Sequence, residues 1–240
     1  MTYRDVLLKS DEINAQHLIR ADIVSMDAMH AITERKACES LAKYGIETNG
    51  GRYAITVEQA QFVKPEAVHS VVVTRKKGAK IIIAAQNVCW TRMARAKEYA
   101  HIYVGLDPSG YDVDDKSEHI SESLDLLLAA ARKARQNLPD GDDDEIPNDE
   151  MACFYLAIEI LLPDIDDKSN GNFRDEAMQM YLANKTDYLS IAKRFKVPEN
   201  IVIHFFERGY SERSMSSRNA MSQESAASPS VPQTDDACGG

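Results

Sequence analysis

Lys80-Ile81-Ile82-Ile83-Ala84-Ala85, followed after a short connection by Trp90-Thr91-Arg92-Met93-Ala94-Arg95-Ala96-Lys97-Glu98-Tyr99-Ala100-His101-Ile102-Tyr103-Val104, is the stretch on which the fold turns. The first run is short and β-branched, the composition of a strand. The second carries no proline or glycine and has the periodicity of a helix. At 3.6 residues per turn, Trp90, Met93, Ala94, Lys97, Ala100, His101 and Val104 share one apolar stripe, with Glu98 at its edge. Three ionisable groups on the core-facing side of a helix are costly unless they are paired or functional. Lys97, Glu98 and His101 are therefore the first candidate residues.

Upstream, Ser70–Thr74 is a second β-rich run, joined to the strand at Lys80–Ala84 by Arg75-Lys76-Lys77-Gly78-Ala79. Two such runs with a short glycine-containing connection predict an antiparallel hairpin. Met26, Met29, Ile32, Leu41 and Tyr44 predict an amphipathic helix with Ser25 as its N-cap, and Gly45 and Asn49-Gly50-Gly51 break the chain after it. Residues 1–25 give a mixed pattern with no assignment.

Downstream, residues 107–150 contain 14 acidic and 4 basic side chains, which accounts for the whole net charge of −10. This acidic insert, about 107–147, holds one helical pattern over Glu118–Gln136. Its Asp140-Gly141-Asp142-Asp143-Asp144-Glu145 run is a loop, because like charges repel and stay solvated. The run lacks the alternating ligands and closing glutamate of a calcium loop. Asn148 or Asp149 then caps a helix that is apolar nearly all round, Met151–Leu162, a type usually buried on most sides. Helices follow over 173–183 and 186–210, with Val197-Pro198 dividing the second into a pair. Residues 211–240 are rich in Ser, Ala, Gln and Pro and read as a disordered tail. One domain over 26–210 is expected, α+β in class, with a small antiparallel sheet packed against helices.

The hydrophobic fraction of 44% is enough for a buried core. An acidic balance argues against broad phosphate-backbone binding. Cys38, Cys89, Cys153 and Cys238 form no C-x-x-C pair and, with no signal peptide, read as reduced thiols of a cytoplasmic protein. The longest apolar run falls short of the roughly 20 residues a bilayer requires, so no membrane partner is expected.

Lys97-Glu98-Tyr99-Ala100-His101 looks like the zinc-peptidase motif H-E-x-x-H with lysine at the first ligand position. That motif works because i and i+4 share a helix face and the glutamate beside them serves as general base. The ordinary alternative is a helix with a satisfied histidine. His17, His30, His69 and His204 have no metal-like spacing with the motif; His119, in the insert, is a candidate replacement ligand.

The strand-then-helix segment, with its arginines ahead of the motif, resembles the core of the ImmA/IrrE-like metallopeptidases. Glu150-Met151-Ala152-Cys153-Phe154-Tyr155-Leu156-Ala157-Ile158-Glu159-Ile160-Leu161-Leu162-Pro163 is similar to that family's second signature. Tyr188–Val202 is similar to its closing segment. The departures are Lys97 for histidine, Cys153 and Phe154 in the second signature, and the length of the insert. The resemblance implies a zincin-like core with Glu98 as general base and His101 and Glu150 as metal ligands. Glu159, the other carboxylate of the second signature, is expected to be solvated or salt-bridged.

An ammonium group has no lone pair and repels a cation. Lys97 is therefore expected to stand where the metal charge stood, paired with Glu150 or Glu98. The function that follows is that of a catalytically impaired relative of repressor-cleaving peptidases, without a cofactor, binding a protein such as a helix-turn-helix regulator. The alternatives are an active zinc endopeptidase with an atypical site, or a DNA-binding regulator. The last would act through 186–210 with Lys193, Arg194 and Lys196, although Pro198-Glu199-Asn200 opens the second helix without basic side chains.

Overall fold

A computed structural model describes residues 1–14, 19–20, 23–48, 51–60, 69–75, 78–85, 87–105, 117–120, 146, 149–164, 166–167, 171–207, 218–220 and 223. The protein is α+β. Helix α1 (Tyr3–Asn14) precedes a two-stranded ribbon, β1 (Ile19–Arg20) and β2 (Ile23–Val24), and then α2 (Met26–Lys43). Strands β3 (Ala54–Gln59), β4 (His69–Arg75) and β5 (Gly78–Ala84) lead into α3 (Val88–Gly105), which carries the motif. Strand β6 (Ser117–Ile120), α4 (Asp149–Leu161), the ribbon β7 (Asp166–Asp167) and β8 (Gly171–Asn172), and helices α5 (Phe173–Ala183), α6 (Tyr188–Phe195) and α7 (Glu199–Glu207) complete the described chain.

Local chemistry sets the helix ends. Ser25 caps α2, its Oγ accepting from the Ala28 N–H at 3.2 Å. At the other end the Gly45 N–H bonds the Ala42 carbonyl and the Ile46 N–H bonds that of Leu41. This is a Schellman closure, and Gly45 supplies the positive φ of 70° it requires. Asn172 and Asp187 cap α5 and α6 in the same manner as Ser25.

The expected hairpin is present: β4 and β5 run antiparallel, with Val72 opposite Ile81. The sheet as a whole is mixed rather than antiparallel. Its order is β3-β5-β4-β6, and β3 lies parallel to β5. Parallel neighbours come from chain segments apart in sequence, so their pairing leaves no turn signature. Gly78 permits the close approach, since a Cβ there would collide with the Ala54 carbonyl oxygen. Strand β6 pairs antiparallel with β4, His119 opposite Val72. Ser117–Ile120 therefore extends the sheet where the sequence pattern begins a helix; the remainder of 118–136 lies outside the described residues, as does the aspartate-rich loop.

Helix α3 is the centre of the molecule. It packs on β4 and β5 and is flanked by α2 and α4, and α1 packs against α4. Every residue of α4 from Met151 to Leu161 except Tyr155 is buried. That is the burial its uninterrupted apolar composition demands. Within the segment read as a tail, residues 218–220 are helical and Arg218 reaches Glu159 of α4 at 3.1 Å. The rest of 211–240 lies outside the described residues apart from Gln223, also helical. Among the described residues no helix is long and apolar enough to cross a membrane.

Candidate functional site

Helix α3 begins at Asn87, whose side chain accepts from the Trp90 N–H at 3.1 Å. From that start the helix brings Lys97 and Glu98 into the interior, both fully buried, and leaves His101 8% exposed. Glu150 sits in the first turn of α4, where a carboxylate favours the helix dipole. Because α3 and α4 lie side by side, four ionisable side chains meet at one point. Lys97 Nζ lies 2.9 Å from Glu150 Oε2, 3.0 Å from Glu98 Oε1 and 3.4 Å from His101 Nε2. His101 Nε2 is 3.1 Å from Glu150 Oε1.

The protons can be assigned by geometry. One imidazole nitrogen cannot accept from Lys97 and donate to Glu150 at once. The carboxylate is the nearer partner, so Nε2–H donates to Glu150 and the ammonium gives its hydrogens to the two carboxylates. The sheet supplies a further contact: Ser70 on β4 donates its hydroxyl to Glu98 Oε1 at 2.5 Å. Glu98 Oε2 is buried with no hydrogen-bond partner among the described residues.

Burial opposes ionisation of Glu150, but the His101 hydrogen bond and the Lys97 charge override it and hold the carboxyl down at about 2, below its usual 4.5. A folded-state value below the unfolded one means the carboxylate stabilises the fold above about pH 4.5. That contribution is lost as pH falls through the window to about 2. Thermal melts through this window should fall steeply with acid, and Glu150→Gln should make the fall shallower. Cys153, one turn further along α4, is buried, which pushes its thiol up against the pull of Lys97. It is a protonated core thiol rather than a nucleophile or ligand.

Of the two readings expected for Glu159, the ion-paired one holds. Glu159 is fully buried and ion-paired, its Oε2 2.7 Å from Arg174 and 3.1 Å from Arg218, with the Tyr3 hydroxyl on Oε1. This second charged cluster belongs to the packing of α4 against α1 and α5 and was missed as a unit in the sequence. A carboxylate in an otherwise apolar helix was the signal that could have found it. In the C-terminal pair, Arg194 forks onto Glu176 with bonds of 2.7 and 3.0 Å. Ile201, Val202 and Phe205 of α7 are buried, while Glu199 and Asn200 at its start are exposed. His30 bonds Tyr99 and Glu34, and His204 stacks on Tyr155; neither is part of the motif cluster. The side chains of His17, His69 and His119 lie outside the description.

A zinc ion does not fit these residues as they stand, because the Lys97 ammonium holds the point on which Glu98, His101 and Glu150 converge. Among the described residues no group of three or more His, Cys, Asp or Glu side chains is arranged to hold a metal ion. In comparisons with known proteins, no family model matches the chain and no curated protein matches it.

Proposed function

We propose that this chain is a relative of the ImmA/IrrE-like metallopeptidases whose catalytic centre has become a structural charge cluster. In this reading it acts by binding a protein, in the class of helix-turn-helix regulators, rather than by cutting one. The observation that carries the reading is the position of Lys97 Nζ, 2.9–3.4 Å from Glu150, Glu98 and His101. These are the residues that the resemblance makes the third ligand, the general base and the second ligand. A cation centred among them supplies the charge a metal would supply, without a Lewis-acid site or an acidified water.

Support also comes from the order of elements, a strand feeding the motif helix and a buried helix that brings Glu150 to it. The partner class comes from the resemblance, and the acidic composition of residues 107–147 favours a partner surface of the opposite sign.

Elemental mass spectrometry of the purified, untagged protein tests the reading, with Lys97→His beside it. The expected result is no stoichiometric zinc in the natural chain and zinc in Lys97→His. Near-stoichiometric zinc in the natural protein would overturn the reading in favour of an atypical zinc endopeptidase. Zinc in neither would remove the metallopeptidase descent.

A further inference from the structure

A cleft of about 610 Å³ opens at the start of α3, away from the Lys97 cluster, between α2, the end of β5 and the C-terminal end of α6. Its size is that of a small-molecule site, for which roughly 300–1,000 Å³ is usual. Three cations line it, Arg92 and Arg95 from α3 and Lys196 from the end of α6, against one carboxylate, Asp27.

Arg92 is only 8% exposed. Its Nε donates to the Lys196 carbonyl at 3.2 Å and its Nη2 to the Val24 carbonyl at 2.9 Å, which fixes the guanidinium plane at the cleft wall. Among the described residues no carboxylate pairs with it. Burial, and after it the neighbouring charge of Arg95, make its cationic form less favourable than usual. A buried cation without a counter-ion is a costly arrangement that an anion relieves.

Arg95 stands one turn along the same helix face. It is half-buried, donates to the Tyr99 hydroxyl from Nη2 at 2.9 Å, and has a buried Nε–H without a hydrogen-bond partner among the described residues. The N-termini of α2 and α3, each a helix of 18 residues, open on the same cleft and add positive potential. Ser25, Asn87 and Thr91 give it polar walls, while Val24, Met26 and Val88 give it apolar ones.

We infer that this cleft is a binding site for a small phosphorylated molecule, a phosphomonoester whose phosphate sits between Arg92 and Arg95 while its body fills the remaining volume. Guanidinium forks match the tetrahedral oxygens of phosphate, and two on one helix face hold a dianion better than a carboxylate. The cavity is larger than a phosphate alone requires, which assigns the ester rather than the free ion. The site is independent of the Lys97 cluster and of the function proposed for it.

Thermal melts of the full-length protein, titrated with inorganic phosphate and with adenosine 5′-monophosphate, provide the test, using sodium chloride at matched ionic strength as the blank. The expected result is a saturable rise in Tm with either probe, at lower concentration for the nucleotide. Arg95→Gln should weaken apparent affinity roughly tenfold or more. Arg92→Gln should act in the same direction, but Arg92 also ties α3 to the ends of β2 and α6, so Arg95→Gln is the deciding variant. No rise beyond the chloride blank, or a rise that Arg95→Gln leaves unchanged, would overturn the proposal. A rise with phosphate alone would keep the anion subsite and reject the ester.

Discussion

Replacing Lys97 with alanine is expected to lower the melting temperature by roughly 6–20 °C, equivalent to about 3–5 kcal/mol in a domain of this size. Lys97 is fully buried and its ammonium contacts the carboxylates of Glu98 and Glu150. Without it, Glu98 remains enclosed with the Ser70 hydroxyl on its carboxylate, and Glu150 keeps the His101 bond but loses the ammonium. Removing one member of a buried ionic cluster strands the others, and the stranded charge contributes most of the loss. Alanine also removes packed methylenes, so Lys97→Met is the sharper variant, since it keeps the volume and deletes the charge. Charge compensation requires Lys97→Met to be destabilised nearly as much as Lys97→Ala. It also requires Lys97→Met/Glu98→Gln/Glu150→Gln to regain most of the loss, because neutral groups of similar shape have no desolvation deficit to offset. A melting temperature for Lys97→Met equal to that of the natural protein would refute the idea that Lys97 holds the site together.

Much of this architecture can be read from short-range signals. The Ser25 cap, the glycine closing α2, the β4–β5 hairpin and the buried α4 all depend on residues near in sequence, and each is where the pattern places it. Strands β3 and β6 were not legible for the opposite reason. Only Ile55 and Val57 mark β3 as apolar, and its parallel partner β5 is a segment that follows an intervening strand. Strand β6 begins in a segment whose leucines repeat with a helical period, and pairing with the edge of β4 overrides that propensity there. The Lys97 cluster was legible in part. The stripe on α3 marks Lys97, Glu98 and His101 as anomalies, but only the resemblance pointed to Glu150. Nothing local in the sequence states that α4 crosses α3 at that height. The Arg92–Arg95 cleft was not foreseen at all, since two arginines on a helix are common and only their enclosure makes them informative.

The second large effect is expected at Arg174, where substitution by alanine should cost about 3–5 kcal/mol, again roughly 6–20 °C in Tm. The Glu159 carboxylate is fully buried in the last turn of α4. Burial would push its carboxyl up, and the charges of Arg174 and then Arg218, with their hydrogen bonds, hold it below its ordinary value. Arg174 does two further things: its Nε and Nη2 donate to the Leu162 carbonyl at 3.3 and 2.9 Å, closing the end of α4, and its guanidinium lies over the Phe205 ring at 5.3 Å. One residue thus links α4, α5 and α7. Lysine has no planar fork with which to serve the carboxylate and the carbonyl together, so Arg174→Lys should recover less than half of the loss. Arg218→Ala should cost less than Arg174→Ala, because Arg174 makes the shorter bond to Glu159 and keeps it in that variant. The contrast with Lys97 separates the two clusters by their design. The Glu159 cluster uses guanidinium groups that join three helices, so neutralising it with Glu159→Gln/Arg174→Met should leave a deficit from the lost Leu162 bonds. The Lys97 cluster has no such backbone duty, and its neutralised form should approach the stability of the natural chain. Equal recovery in the two neutralised proteins would show that Arg174 contributes only as a counter-ion.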